Sequence, residues 1–332
     1  MAIGVFGLKQ VYKKQLENVE ERNFSYWPEG ALYGYHVGGF NGATFSTTNR
    51  LDFSNETVSA PGKNLSVARY VTSSVSSAFH GYVCGGVNNP PATYRSEVER
   101  LDYSSETVSS PGKNLYNNSF NSSFLSGIHY GYITGGTNFV PRPNPQGGPY
   151  TQNLSNTQRL DFYSETIQNP GKPMTYTTSG YINVLDSFEY GYIAGGGNTT
   201  YISRLDFSSE VYTLRSSTLP VGVTDGDGTS STSYGYFAGG TTPARISTIV
   251  RLDFSNEVVS EPGNNLPEVR SEMSEFSSLS YGYFACGNNG SYINTITRLD
   301  YSNETLSNPG TNITFANSGG AGLSGGASIL PS

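Results

Sequence analysis

The chain repeats one unit six times. A Gly-Tyr step begins at Gly34, Gly81, Gly131, Gly191, Gly235 and Gly282 and runs towards a glycine pair. An Arg-Leu-Asp triplet follows, beginning at Arg50, Arg100, Arg159, Arg204, Arg251 and Arg298, and then comes an acidic turn. A period of roughly 50 residues belongs to solenoids, propellers and arrays, whose units bury their apolar faces only against neighbours. What all copies share is therefore expected to be scaffold. A function is expected where the copies differ.

One copy reads as four short strands. In copy 2, Arg69 to Ala78 is small and β-branched, Phe79 to Cys84 is an aromatic strand ending at Gly85-Gly86, and Glu97 to Tyr103 alternates apolar with charged residues. Thr107 to Ser109 makes a short outer strand, closed by Pro111-Gly112. Alternation marks a half-buried strand, and Pro-Gly marks a turn. Four antiparallel strands at this period form the blade of a β-propeller. The small-residue first strand is expected at the crowded axis. Arg and Asp of the triplet, two residues apart, share one face of their strand. Leu51, Leu101, Leu160, Leu205, Leu252 and Leu299 face the other way and are expected to pack between blades.

Residues 311–326 resemble the beginning of a seventh copy that stops before any Gly-Tyr step. They are expected to supply the inner strand of the first blade, removing the open sheet edges that invite aggregation; residues 22–31 are the competing candidate. The expected organisation is a leading segment 1–30, a six-bladed propeller 31–310 and a closing strand with tail 311–332. In the leading segment Val5, Leu8, Tyr12, Leu16 and Val19 recur at helical spacing. Such a segment, helical or extended, either packs under the propeller or docks onto another protein.

Formal net charge is -7, the wrong sign for phosphate neutralisation, so no nucleic-acid partner is expected. No apolar run is long enough to span a bilayer, and the lysines of the N-terminus follow its apolar residues rather than precede them. Synthesis in a cytosol without export, and no membrane insertion, are the expectations. Cys84 and Cys286 fall in copies that are not ring neighbours and are expected as free, half-buried thiols.

The Gly pairs at 38–39, 85–86, 135–136, 195–196 and 239–240, followed by Arg-Leu-Asp-aromatic strands and Pro-Gly, resemble the kelch class of β-propellers. Copy 6 reads as a departure, Gly287-Asn288, and most copies lack the later kelch Trp. The recurring phrase Tyr-Gly-Tyr-Phe-Ala-Gly-Gly, then Arg-Leu-Asp-Phe-Ser-Asn-Glu, resembles repeat proteins of marine tailed bacteriophages, cyanophages in particular. This resemblance implies a virion protein of tail-fibre, spike or decoration type. It implies a location in the virion and partners among other virion proteins, reached through the leading segment. Host-surface glycans and further copies of the chain are the other implied partners.

The residues for catalysis are sparse. His36, His80 and His129 sit at different offsets from the Gly-Tyr strands, so surface or half-buried rim positions are expected. No metal motif and no nucleophile elbow is present, so neither a catalytic residue, a metal nor a cofactor is expected. The acids outside the repeat, Asp186, Glu189, Asp225 and Asp227, fall in the inner-strand regions. They are the residues an alternative carbohydrate-active enzyme would use, since glycosidases need paired carboxyls. Variation between copies concentrates in the loop after the Gly pair. In copy 3 it runs from Thr137 to Gln158 and carries Phe139, Arg142, four prolines and Tyr150; copy 2 offers Asn88 to Tyr94. Long loops with aromatics on a rigid scaffold commonly bind, so Phe139, Arg142, Tyr150, Asn88 and Tyr94 are the candidate ligand contacts.

Overall fold

A computed structural model describes residues 32–140, 150–176, 182–197 and 199–325. The described residues form an all-β, six-bladed propeller of four-stranded antiparallel sheets. Blade 2 is typical: inner strand Ser73–Ser76, second strand His80–Cys84, third Val98–Asp102 and outer Val108–Ser109. Blade 1 is assembled from distant parts of the chain. Its second strand Tyr33–Val37 pairs Thr48–Asp52 on one side and Ala321–Ser324 on the other, with Val37 opposite Ala321. The closing strand is thus C-terminal. Residues 1–31, which contain Val5, Leu8, Tyr12, Leu16 and Val19, lie outside the described residues.

The core sits between blades, in six apolar clusters that each draw on two neighbours. Leu51 of blade 1 packs with Phe276, Tyr283 and Ile296 of blade 6, and Leu101 of blade 2 packs with Tyr35 and Val37 of blade 1. Burying one such leucine contributes about 1.5–3 kcal/mol. The Gly-Tyr glycines let the blades approach. A Cβ on Gly34 would lie 2.3 Å from the Phe276 ring, and one on Gly191 would lie 2.6 Å from Leu125.

The triplet arginine faces forward, towards the next blade. Each one meets the glutamate of the next blade's outer turn: Arg50 with Glu106, Arg100 with Glu165, Arg159 with Glu210, Arg204 with Glu257, Arg251 with Glu304, and Arg298 with Glu56, at 2.6–2.9 Å. The same carboxylates accept from Tyr35, Tyr82, Tyr132, Tyr192, Tyr236 and Tyr283 at 3.0–3.2 Å. Those tyrosines stack on the aromatic after Arg-Leu-Asp in the next blade, with centroids 5.3–5.7 Å apart. Each of the six glutamates has φ between 52° and 58°, a left-handed conformation that costs an ordinary side chain about 1–2 kcal/mol. The triplet aspartate stays local and caps its own turn; Asp52 Oδ1, for example, accepts from the Ser54 N–H at 2.8 Å.

In copy 6 the glycine pair is Cys286-Gly287, not Gly287-Asn288. Ala285 pairs with Ile296 as Val37 pairs with Thr48, so the next residue takes the first glycine's place. Cys286 holds φ 59°, against 75° for Gly38. The copies differ in tolerance, because a Cβ on Gly38 would lie 2.6 Å from the Arg69 carbonyl oxygen.

Two outcomes are expected in thermal or urea unfolding. Glu257→Ala, which strips the partner from Arg204, Arg215 and Tyr192, lowers stability by about 2 kcal/mol. Gly38→Ala costs about 2–4 kcal/mol through clash and positive φ, while Cys286→Gly stays within about 1 kcal/mol because relieved strain offsets lost packing. Equal losses for Gly38→Ala and Cys286→Gly would contradict this account of the pair.

Candidate functional site

The strand directions give the ring two unlike faces. Turns between inner and second strands, and between third and outer strands, lie together on one face: the Tyr103 N–H donates to the Phe79 carbonyl, and the Phe162 N–H to that of His129. The opposite face carries the glycine pairs, the copy-specific hairpins and the links between blades. There links among the described residues pair with the residue after the glycine pair, as Tyr70 with Val87, Ser119–Phe120 with Thr137–Asn138, and Thr224 with Thr241.

Around the axis on this hairpin face, left-handed residues precede the inner strands: Val71, Asn121, Asp225, Glu272 and Gly319. They are hydrogen-bonded blade to blade. Asn121 N–H donates to Val71, Val71 to Gly319, Gly319 to Glu272, and Glu272 to Asp225, at 2.8–3.4 Å. A β-branched residue at φ 50°, as Val71 is, is held there only by its surroundings.

Inside this rim the inner strands line an axial channel. Its lining includes Ser76, Ser126, Asp186, Ser230, Ser277 and Ser324, all at the fourth strand position, and Ser74, Phe124, Val184 and Glu275 at the second. The serines stitch blades: the Ser76 N–H donates to Ser126 Oγ at 3.0 Å, and the Ser277 N–H to Ser324 Oγ at 3.1 Å. Asp186 takes a serine's place in this ring and accepts from the Ser126 N–H. Enclosure by protein pushes its carboxyl up to about 8, against that one opposing hydrogen bond. Its Oδ1 and the Ser74 hydroxyl have no protein partner. Across the joint between blades 5 and 6, burial above all holds the Asp227 and Glu275 carboxyls well above the usual range, helped by repulsion from Asp225 and Glu272 on Asp227 and from Asp227 and Asp186 on Glu275. The two carboxyls are hydrogen-bonded to each other through a shared proton, and Asp227 also accepts from the Met273 N–H.

Of the four acids singled out in the sequence, only Asp186 and Asp227 belong to inner strands. Asp225 lies on the hairpin-face rim, accepting from Thr224 Oγ1 at 3.2 Å. Glu189 is exposed on the turn face, in a groove with Ile128, Phe188 and Phe207. Glu275 escaped notice because Ser-Glu-Phe-Ser reads as an ordinary alternating strand.

Among the candidate contacts, Tyr94 and Phe139 come together, stacked with centroids 4.5 Å apart, and Phe120 joins them 4.9 Å from Tyr94. Asn88 is turned inward, its Nδ2 donating to the Ala68 carbonyl at 2.6 Å, so it braces the hairpin. Tyr150 opens the strand Tyr150–Asn153, opposite Val140. Arg142 lies outside the described residues. A second aromatic group was not foreseen: Phe40 stacks on Tyr70 at 4.7 Å and meets Tyr292 edge-on at 6.0 Å. Phe40 and Tyr70 come from blade 1 and its link to blade 2, and Tyr292, far along the chain in blade 6, joins them through ring closure.

His36 is fully buried, contrary to the expected rim position, and both cysteines are buried rather than half-exposed. His36 Nδ1 lies 2.6 Å from Ser274 Oγ, its Nε2 is 3.9 Å from Cys286 Sγ, and Asn317 Nδ2 donates to that sulfur at 3.3 Å. The residue types match a nucleophilic constellation, but burial suppresses the chemistry. It pushes His36 down to about 4 and the Cys286 thiol far up, so near neutrality the imidazole is neutral and only weakly basic while the thiol keeps its proton. Among the described residues no cluster of His, Cys, Asp or Glu could hold a metal ion, and no helix is long and apolar enough to cross a membrane.

No family model matches the chain, and no curated protein matches it. Solved structures with a similar fold are numerous. One, titled "Structure of YjhT", superimposes with a TM-score of 0.63 at 14% identity, over 82% of this chain and 96% of that one. At that identity the likeness is one of fold alone.

A carboxyl whose pKa is raised by folding binds its proton more tightly in the native state. Its contribution is most favourable below its unfolded pKa, near 4, and is lost as pH rises towards 8. Urea midpoints should therefore fall between pH 5 and 8, with Asp186 adding at most about 1.4 kcal/mol per pH unit. Asp186→Asn should flatten that slope. An unchanged slope in the variant would show that Asp186 ionises freely in the channel.

Proposed function

We propose that this chain is a non-enzymatic display propeller of a virion, a divergent kelch-like protein of tail-fibre, spike or decoration type. In this reading the hairpin face binds a host surface or a neighbouring protein. The observation that carries the reading is a division of labour among side chains. Arginines, glutamates, tyrosines and aspartates common to all copies join blades or cap turns. The copy-specific hairpins and their aromatics gather on one face.

The chain's course supports the same polarity. Leu32, where the described chain enters, and Ser324, at the end of the closing strand, both lie on the turn face, since the Phe53 N–H donates to the Leu32 carbonyl and Ser324 opposes Gly34. Attachment through the leading segment leaves the hairpin face pointing outward. The turn face also exposes apolar side chains at successive blades, Leu32, Phe79, Ile128, Phe188 and Leu279. Contiguous exposed apolar groups mark interaction surfaces.

One observation favours the enzymatic alternative. Asp186, Asp227 and Glu275 are carboxyls whose pKa is raised, the direction a general acid needs. The two readings separate in one set of assays. Deleting residues 139–150 should leave a folded ring and reduce binding to host envelopes at least about tenfold, a loss of about 1.4 kcal/mol. Glycan substrates incubated with the chain should show no turnover. A hydrolytic rate abolished by Asp227→Asn would replace the display reading with the enzymatic one.

A further inference from the structure

We infer that Phe40, Tyr70, Tyr292 and Glu272 form a shallow platform on the hairpin face that binds a neutral hexose unit of a glycan. The inference rests on the display reading and names the class of ligand and its site. The platform spans the seam where the ring closes. Phe40 is tied to the closing segment by paired hydrogen bonds with Ser318, at 2.9 and 3.0 Å, and Tyr70 is tied to Val87 in the same way, at 3.0 and 2.9 Å. The aromatic backbones are therefore fixed before any ligand arrives, which lowers the entropy lost on binding. Tyr292, on the blade 6 hairpin, is 37% exposed, so part of its ring is open to solvent.

Glu272 supplies the polar group. Its backbone is locked left-handed in the axial rim, its Oε2 accepts from Ser318 Oγ at 2.6 Å, and its charge is felt by Tyr70. Arg245 stands beside it, Nε donating to Ser271 Oγ at 3.2 Å. An apolar ring face beside one carboxylate and one guanidinium matches a hexose. Such a ring offers a C–H face for stacking and vicinal hydroxyls that both donate and accept. A cationic guest would need several aromatic faces converging on it, whereas Phe40 and Tyr70 stack on each other at 4.7 Å and Tyr292 meets Phe40 edge-on at 6.0 Å. A sugar carboxylate would meet Glu272 and Asp225, two acids on one rim.

Saturation-transfer NMR on the full chain tests this with galactose, glucose and galacturonic acid at millimolar concentration. The expected result is transfer to ring protons of a neutral sugar and none to galacturonic acid. Tyr292→Ala and Glu272→Gln should each weaken that binding about tenfold. Tyr163→Ala, at a 99% exposed ring on the turn face, should leave it unchanged. Circular dichroism checks that each variant folds. No transfer from any neutral sugar, equal binding by Tyr292→Ala, or preference for galacturonic acid would overturn the platform. If the chain still coats host envelopes in those cases, the display reading survives the loss of this site. If envelope binding is absent too, both fall.

Discussion

A glutamate in the wrong backbone conformation is the point on which this ring depends. At each of six outer turns the chain adopts a positive φ that glycine or asparagine would accept more readily. Glutamate is there because its carboxylate must reach back to the preceding blade, where it receives an arginine and a tyrosine. The bond holds the turn in its strained form, and the turn aims the carboxylate. Pairs this open to solvent are modest singly. Here each shares its acceptor with a tyrosine whose ring lies in the inter-blade core, so electrostatics and packing fix the same blade-to-blade rotation. The sixth pair, Arg298 with Glu56, joins last blade to first.

The centre follows different chemistry. Inner strands carry small and hydroxyl residues because six backbones converge there, and the serines convert crowding into lateral hydrogen bonds. Two departures from that rule, Asp186 and the Asp227–Glu275 pair, put ionisable groups where water is scarce. The protein around them holds these carboxyls above the usual carboxylate range. The His36–Ser274–Cys286–Asn317 group shows the converse: reactive residue types, fully enclosed, become packing and hydrogen-bonding material.

Much of this was legible in the sequence. The six Gly-Tyr steps and Arg-Leu-Asp triplets gave the blade count and the strand order, and the two-residue period assigned leucine and arginine to opposite faces. The turn glutamate read only as an acidic turn, because its partner lies in the preceding blade and nothing local betrays a positive φ. Cys286 was misaligned because one absent glycine let the remaining glycine pass for the first of a pair. Asn88, a candidate contact in the sequence, also braces its hairpin, and that role was not legible because a loop asparagine bonded to backbone reads like any other. The Phe40–Tyr70–Tyr292 group could not be seen along the chain, because Tyr292 reaches the other two only when blade 6 closes on blade 1.

That closure uses four residues near the end of the chain to complete a sheet begun almost three hundred residues earlier. During synthesis the growing protein is an open row of blades. The edge of the Tyr33–Val37 strand stays unpaired until residue 324 has left the ribosome. An unpaired edge is adhesive, so the row of blades stays open to its neighbours until residues 321–324 arrive to cover it.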